Sequence, residues 1–570
     1  MDAALGEHSS QEEARQALTV LTRLGHRVPA EKRWLKVALD RYLIRRAEDA
    51  LFVGMETGPP MPEMLEQAIK EAESRQRRKA VDTLRLKLPK ETVNLKSLSV
   101  EVNREHVTFL EIRKSGRGAK RNLGLCKALT TLFQAQREAG LHAEAAVAAL
   151  DALQYASKVF RSDKPNDRAQ LAVTLNNAAI AVSTIGRFEE ALEKAQQAEA
   201  TLRELARKQP DALNADWATS LGNLGNRLSD LGSYEQALER ANQAEGISRE
   251  LARKQPDAFN ADWAGQLGNL DIRLGELGRY EEALEKAQQA EAIRRELARK
   301  QPDAFNADWA NSLGNLGGHL AEVGRFEEAL KKAQQAEAIR RELATKQPEA
   351  FNADWATSLG NIGVHLVNLG RFEEALEKAQ QAEAIYRELA NKQPEAFNAD
   401  WAKWLTNLAE AQLAASEHTV ALETANAAIA LIRPLADRYP AIHGPWLAFA
   451  ERVLAEALLD LGKGEDAVAE ARSAITIWTN VVASRPGYET IQIAKAFRAL
   501  ARCEIALDQG EAAVATLERA FEVLRQPNEK HSKLLGPVMS DMVELVSAVD
   551  RAAVERVAPA DLLAALKASS

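Results

Sequence analysis

Cysteine is scarce: Cys126 and Cys503 are the two in 570 residues. They are too few and too far apart for a disulfide framework or a Cys-rich zinc site. Aromatic residues make up only 5% of the chain, and alanine supplies much of the apolar content. No run of about 18 apolar residues is present to span a bilayer. The start, Met1–Ala14, is polar and acidic and lacks the apolar centre of a secretion signal. A cytoplasmic protein with no membrane contact is therefore expected. No glycine-rich loop suited to phosphate is found; Ser115-Gly116-Arg117-Gly118-Ala119-Lys120-Arg121 lacks the Gly-Lys-Ser/Thr ending. There is no His-Glu-x-x-His and no paired-Cys motif. We expect no cofactor, no resident metal and no enzyme activity.

Charge is uneven. The formal net charge is −8, yet residues 1–122 carry 24 Lys and Arg against 18 Asp and Glu, leaving 50 against 64 in the rest. A basic head on an acidic body suggests two parts with different tasks. It also makes nucleic acid an unlikely partner of the body, because phosphates need a positive face.

A repeat is plainly present. Trp217, Trp263, Trp309, Trp355 and Trp401 are each 46 residues apart, and so are Pro210, Pro256, Pro302, Pro348, Pro394, Pro440 and Pro486. Alanine sets the register at Ala145, Ala191, Ala237, Ala283, Ala329, Ala375, Ala421, Ala467 and Ala513, with a second ladder from Ala152 to Ala520. Nine units thus fill residues 123–525. In the unit around Ala237, Leu221, Leu224, Gly225 and Leu228 lie on one side of a helix expected over Ala218–Leu231. Asp216 is placed to cap its start and Gly232 to end it. A second helix is expected over Tyr234–Lys254, with Leu238, Ala241, Ala244, Ile247 and Leu251 inward and Pro256 behind it. Small residues at Gly225, Ala237 and Ala244 allow close approach.

The segment Leu221–Ala244, L-G-N-L-G-N…L-G-S-Y-E-Q-A-L…A, resembles the tetratricopeptide repeat in its bulky residue, Leu-Gly pair, turn Gly, aromatic and two alanines. The resemblance recurs in phase nine times over about 400 residues. It implies an all-α, right-handed superhelical solenoid of helix pairs, because each unit buries its apolar faces only against its neighbours. The period departs from the family's roughly 34 residues. The extra length is expected to extend the second helix and to add a linker, Gln-Pro-Asp-Ala-Phe-Asn-Ala-Asp. Such stretched repeats are similar to those of kinesin-light-chain-like proteins and to bacterial arrays joined to signalling ATPases or caspase-like peptidases.

In such arrays the side of the first helix opposite its core lines a concave groove. Here that side holds Thr219, Asn223, Asn226, Ser229 and Asp230. The middle units differ from one another mainly there. Asn226 is replaced by Ile272, Gly318 and Val364, Ser229 by Gly275, Ala321 and Val367, Asp230 by Glu276, Glu322 and Asn368, and Thr219 by Gly265, Asn311 and Thr357. One position barely changes: Asn177, Asn223, Asn269, Asn315, Asn361 and Asn407. A side-chain amide both donates to and accepts from an extended backbone. The alternative is that each Asn bonds a neighbouring helix and stiffens the stack. The family's carboxylate-tail clamp needs Lys and Arg beside the Asn, and Lys403 is an isolated case. Glu138, Asp230, Glu276, Glu322, Glu410, Glu456 and Asp460 suggest an acidic groove and a polar or basic partner.

The tryptophans are expected to plug the joints between units, and the charged second helices to form a solvated outer face. Cys126 and Cys503 fall on first helices as buried thiols, and His319 and His365 flank the groove. In the head, helices are expected at Gln11–Gly25, Ala30–Val53 and Pro62–Ala80. Short strands are expected at Thr83–Leu88 and Val107–Arg113. Two basic clusters, Arg75, Arg77, Arg78, Lys79 and Arg113, Lys114, Arg117, Lys120, Arg121, are either a solvated helix face and a linker or a surface for a second partner, an acidic protein or nucleic acid. Leu534–Val549 and Pro559–Ala568, within residues 526–570, are expected as closing helices. The functional expectation is a scaffold that grips a partner protein or peptide. Two alternatives remain. One is a regulator, inhibitor or substrate of a caspase-like protease in a bacterial antiviral or stress system. The other is an enzyme with an unrecognised site in residues 1–122, although that head has His8, His26 and His106 but no Cys to pair with them.

Overall fold

The computed structural model describes residues 61–72, 74–87, 96–112, 119–139, 141–160, 164–484, 490–524 and 535–550, with Leu43, Ala47, Ala50, Leu51 and Ala553. The expected helices at Gln11–Gly25 and Pro559–Ala568, and most of Ala30–Val53, lie outside the described residues. All 22 elements delimited among the described residues are α-helices.

The described residues fall into two compact units, divided between Thr184 and Ile185. The first holds α1 (Met61–Glu71), α2 (Ser74–Lys87), α3 (Lys96–Ile112), α4 (Ala119–Glu138), α5 (His142–Val159) and α6 (Pro165–Ser183). Leu65, Ile69, Val81, Leu84, Leu98 and Val102 join Leu43 and Leu51 in one core. The strands expected in the head are not formed: Thr83–Lys87 ends α2 and Val107–Ile112 ends α3. The apparent alternation is a helical stripe, with Val81 and Leu84 buried three residues apart.

The second unit holds α7 (Phe188–Lys208), α8 (Pro210–Asp230), α9 (Tyr234–Lys254), α10 (Pro256–Glu276), α11 (Tyr280–Lys300), α12 (Pro302–Glu322), α13 (Phe326–Lys346), α14 (Pro348–Asn368), α15 (Phe372–Lys392), α16 (Pro394–Ala414), α17 (His418–Arg438), α18 (Pro440–Asp460), α19 (Gly464–Ser484), α20 (Thr490–Ala506), α21 (Gly510–Leu524) and α22 (Leu535–Val549). From α8 onward first and second helices alternate, each packed on its neighbours in the chain. Both alanine ladders are buried along their whole length. Gly225 shows why small residues are needed: a Cβ there would stand 3.2 Å from the carbonyl oxygen of Ala237.

Part of the repeat's extra length goes elsewhere than expected. The second helix, Tyr234–Lys254, has the expected length. The supposed linker is helical and opens the next first helix, with proline at its first position, so that both helices of the unit run 21 residues. Proline suits that place because the first-turn N–H would have no partner anyway. Asp216 therefore caps nothing; it lies inside α8, and Gln209 precedes the helix. The turn after α8 does pass through Gly232 at φ 72°, and Ser233 N–H bonds back to the Leu228 carbonyl at 2.9 Å. This is a left-handed helix stop.

Candidate functional site

Within the second unit, first helices of consecutive repeats touch one another, whereas second helices stand farther apart. The first helices therefore lie on the inside of the curve. That curve is tight. A Cβ on Gly186, before α7, would stand 3.6 Å from the Cβ of Ala441 at the start of α18.

Each joint is held by a pair that the sequence reading did not foresee in full. The indole N–H of Trp217 donates to Glu199 at 2.9 Å, and Trp263, Trp309, Trp355 and Trp401 do the same to Glu245, Glu291, Glu337 and Glu383 at 2.8–2.9 Å. The tryptophans thus sit at the joints, each on the preceding second helix. The glutamates are largely buried on helices read from the sequence as a solvated outer face. The available signal was a glutamate constant at 18 residues before each of these five tryptophans.

Asn223, Asn269, Asn361 and Asn407 are half-buried and Asn315 is exposed; Asn177, in the first unit, is half-buried. The Asn269 amide donates to Gln266 Oε1 at 3.2 Å. The other amides of the row form no side-chain hydrogen bond among the described residues. Asn226 is half-buried, while Asn311 and Asn368 are exposed. Asn311 Oδ1 accepts from Arg340. The positions equivalent to Asn226 are open to solvent, with Ile272 40% and Val364 44% exposed.

The carboxylates are balanced locally by cations, so this face is less acidic than its acid residues alone suggest. Asp230 pairs with Arg227 at 3.3 Å and Glu276 with Arg273 at 3.2 Å. Burial pushes the Glu276 carboxyl up, opposed by Arg273 and a bond from Ser229. Glu322 is half-buried, and the side chain of Glu138 lies outside the described residues. Farther along, the Arg452 guanidinium is buried between Glu410 (2.8 Å) and Glu456 (3.0 Å), and Lys495 reaches Glu410 at 3.0 Å. Burial alone would raise the Glu410 carboxyl, but Lys495 and Arg452 hold it at about 2. Asp460 meets Arg502 and His418.

His319 and His365 occupy equivalent places with different surroundings. His319 bonds Asp271 at 3.2 Å, where Asp271 stands at the position of Gly225, Gly317 and Gly363 and is 1% exposed. Burial raises the Asp271 carboxyl, against the pull of His319. His365 faces Gly317 instead, and burial pushes its pKa down to about 4. Among the described residues no group of three or more His, Cys, Asp and Glu is placed to hold a metal. Both cysteines are buried. In the head, Arg77 is tied to Glu105 and to the carbonyls of Lys70 and Ala72. Arg113, Lys114 and Arg117 lie outside the described residues. Among the described residues, no helix is long and apolar enough to cross a membrane.

A stack of helix pairs with a recurring Leu-Gly, turn-Gly and Ala-Ala register defines a helical-repeat protein. Residues 217–244 and 310–388 each match a tetratricopeptide-repeat family model, so the chain carries tetratricopeptide repeats. A search of the curated proteins finds no match. Similar solved structures include aspartyl phosphate phosphatase F from Bacillus subtilis. It is 14% identical over 71% of this chain and 96% of that one, with a TM-score of 0.44. BtubC (BKLC) from P. vanneervenii is 20% identical over 44% and 92%, with a TM-score of 0.35. A putative kinesin light chain of Podosopora anserina, with nearly identical TPR-like repeats, is 20% identical over 37% and 93%, with a TM-score of 0.29.

Proposed function

We propose that this protein is a non-enzymatic scaffold that holds an extended, polar segment of a partner protein along the inner face of its first helices. One observation carries the reading. Asparagines recur at one inner position, and the amides of Asn223, Asn315, Asn361 and Asn407 form no side-chain hydrogen bond among the described residues. An amide row of this kind bonds peptide N–H and C=O groups without regard to sequence. The variable positions beside it, such as Asn226, Ile272, Gly318 and Val364, would then supply selectivity. The paired carboxylates favour a polar segment over a strongly basic one.

The test is to express the tagged chain in its native host and identify co-purifying proteins by mass spectrometry. A parallel bait carries Asn223→Ala, Asn269→Ala, Asn315→Ala and Asn361→Ala, with helicity checked by circular dichroism. We expect a partner that the folded variant loses. Retention of every partner by the variant would move the binding surface elsewhere.

A further inference from the structure

One joint is built differently from those that follow it. Ser248, Arg294, Arg340 and Tyr386 hold the same position on α9, α11, α13 and α15. Arg340 ties its own first helix to the next: it donates to Ser358 Oγ at 2.8 Å, to the Asp354 carbonyl at 3.2 Å and to Asn311 Oδ1. The Tyr386 hydroxyl meets Thr357 at 2.8 Å and the Ala353 carbonyl at 3.0 Å. Its ring lies 6.0 Å from that of Trp404.

At the joint between α8 and α10 the position holds Ser248, which is too short to bridge. A cleft of about 310 Å³ is left there, lined by Thr219, Ser248, Gly265, Gln266, Asn269 and Arg294, with Asp262 among its other walls. Gly265 replaces the acceptor that Asn311 offers Arg340. Arg294 therefore donates Nη1 to Ser312 Oγ at 2.8 Å and, at 3.5 Å, to the Asp308 carbonyl. Its Nη2 has no acceptor among the described residues, and it forms no ion pair there. Burial pushes this guanidinium below its usual range, with Asp308 and Asp271 opposing. A partly desolvated cation with one arm lacking an acceptor gains most from a planar carboxylate.

We infer that the cleft receives a carboxylate side chain, an Asp or Glu of the polypeptide held along the asparagine row, with Arg294 as its counter-ion. This rests on the function proposed above. Asn269 belongs to both the row and the cleft, so a chain lying along the row passes the cleft's mouth. A phosphate would need a second cation, and the lining offers none. Asp262 is exposed and makes no pair with Arg294, so its charge stays in solvent, where salt screens it.

The experiment pans random displayed dodecapeptides on the full chain and measures the enriched sequences by fluorescence polarisation. The expected result is one fixed position enriched in Asp or Glu, where Glu→Gln in the peptide weakens binding about tenfold. Gly265→Asn supplies Arg294 with the acceptor Arg340 has, and a Cβ at Gly265 meets nothing within 4 Å. This variant should bind the Glu and Gln peptides alike, and so should Arg294→Ser. Peptides that depend on the asparagines yet show no acidic preference, or a preference that survives Gly265→Asn, overturn the cleft assignment and leave the groove standing. Free glutarate binding as tightly as the acidic peptide overturns the peptide source. Failure to select any peptide sensitive to the four Asn→Ala changes overturns both the groove and the cleft.

Discussion

At the residue scale, one repeat position shows how neighbours decide the sign of a substitution. Gly314 and Gly360 are equivalent, and both lie inside first helices. A Cβ on Gly314 meets nothing within 4 Å, whereas one on Gly360 would stand 1.8 Å from the Trp404 ring. Gly314→Ala should stabilise by about 0.5–1 kcal/mol, because alanine loses less backbone freedom in a helix. Gly360→Ala should destabilise by about 1–3 kcal/mol, because the indole must leave its place against Tyr386. Urea unfolding of the two variants side by side reads the difference, and equal effects would contradict the packing described. His365 gives a pH dependence of known sign. In the unfolded chain it takes a proton near pH 6.5; in the fold burial holds it neutral down to about 4. The unfolded state therefore binds more protons between these values. Its contribution is fully present above about pH 6.5 and is lost as the pH falls towards 4. Thermal unfolding across that window should lose about 3 kcal/mol of stability that His365→Gln does not lose. Parallel curves for the two proteins would refute the burial effect.

At the element scale, the indole–carboxylate pair sets how each second helix meets the next first helix. Trp263→Phe keeps most of the ring but removes the donor, leaving Glu245 largely buried with only Arg249 at 3.7 Å. An unsatisfied buried carboxylate costs about 1–3 kcal/mol. An array with nearest-neighbour stability unfolds locally, so hydrogen exchange is the suitable measurement. Amides in the first turns of α10 should exchange about tenfold or more faster, while those of α16 keep their rates. The element boundaries also show how much the sequence made legible. Helix pairing, register and the second helix came from the spacing of alanine and leucine, which burial alone dictates. The start of the first helix did not, because Asp216 looked like a cap and Pro256, which opens the next first helix, looked like a stop. Proline at a first helical position and proline after a last one read alike when helices follow one another by a single residue. The asparagine row was visible as a constant column. The cleft was not: it depends on Ser248 and Arg294, which lie on second helices judged uniform, and on Gly265, whose meaning comes from a side chain on another helix. A variable position within an otherwise constant helix was the signal.

At the scale of the whole molecule, a stack that buries each repeat only against its neighbours must close its last apolar face. Here α22 does this. Met539, Met542, Val543 and Val546 join Phe497, Leu500 and Cys503 in one buried cluster, and Arg498 pairs with Asp541 at 2.8 Å. The Cys503 thiol has no exposed surface. Burial, with Glu456, Glu504 and Asp460 near it, pushes its pKa to about 12. It should therefore react very slowly with a disulfide reagent in the full chain, since the thiolate is the reacting form. A chain ended before Leu535 uncovers that cluster and should expose Cys503, raising its labelling rate more than about tenfold by opening a path to solvent and a supply of thiolate. The Cys126→Ser background isolates the signal. Cys126, in the first unit and 5% exposed, supplies the internal reference when Cys503 is changed to Ser instead, and its rate should not move. Helicity should fall by little more than the removed segment, because the repeats before α20 keep their own neighbours. Unchanged labelling of Cys503 after truncation would mean that the earlier helices bury it without help, and that α22 seals nothing.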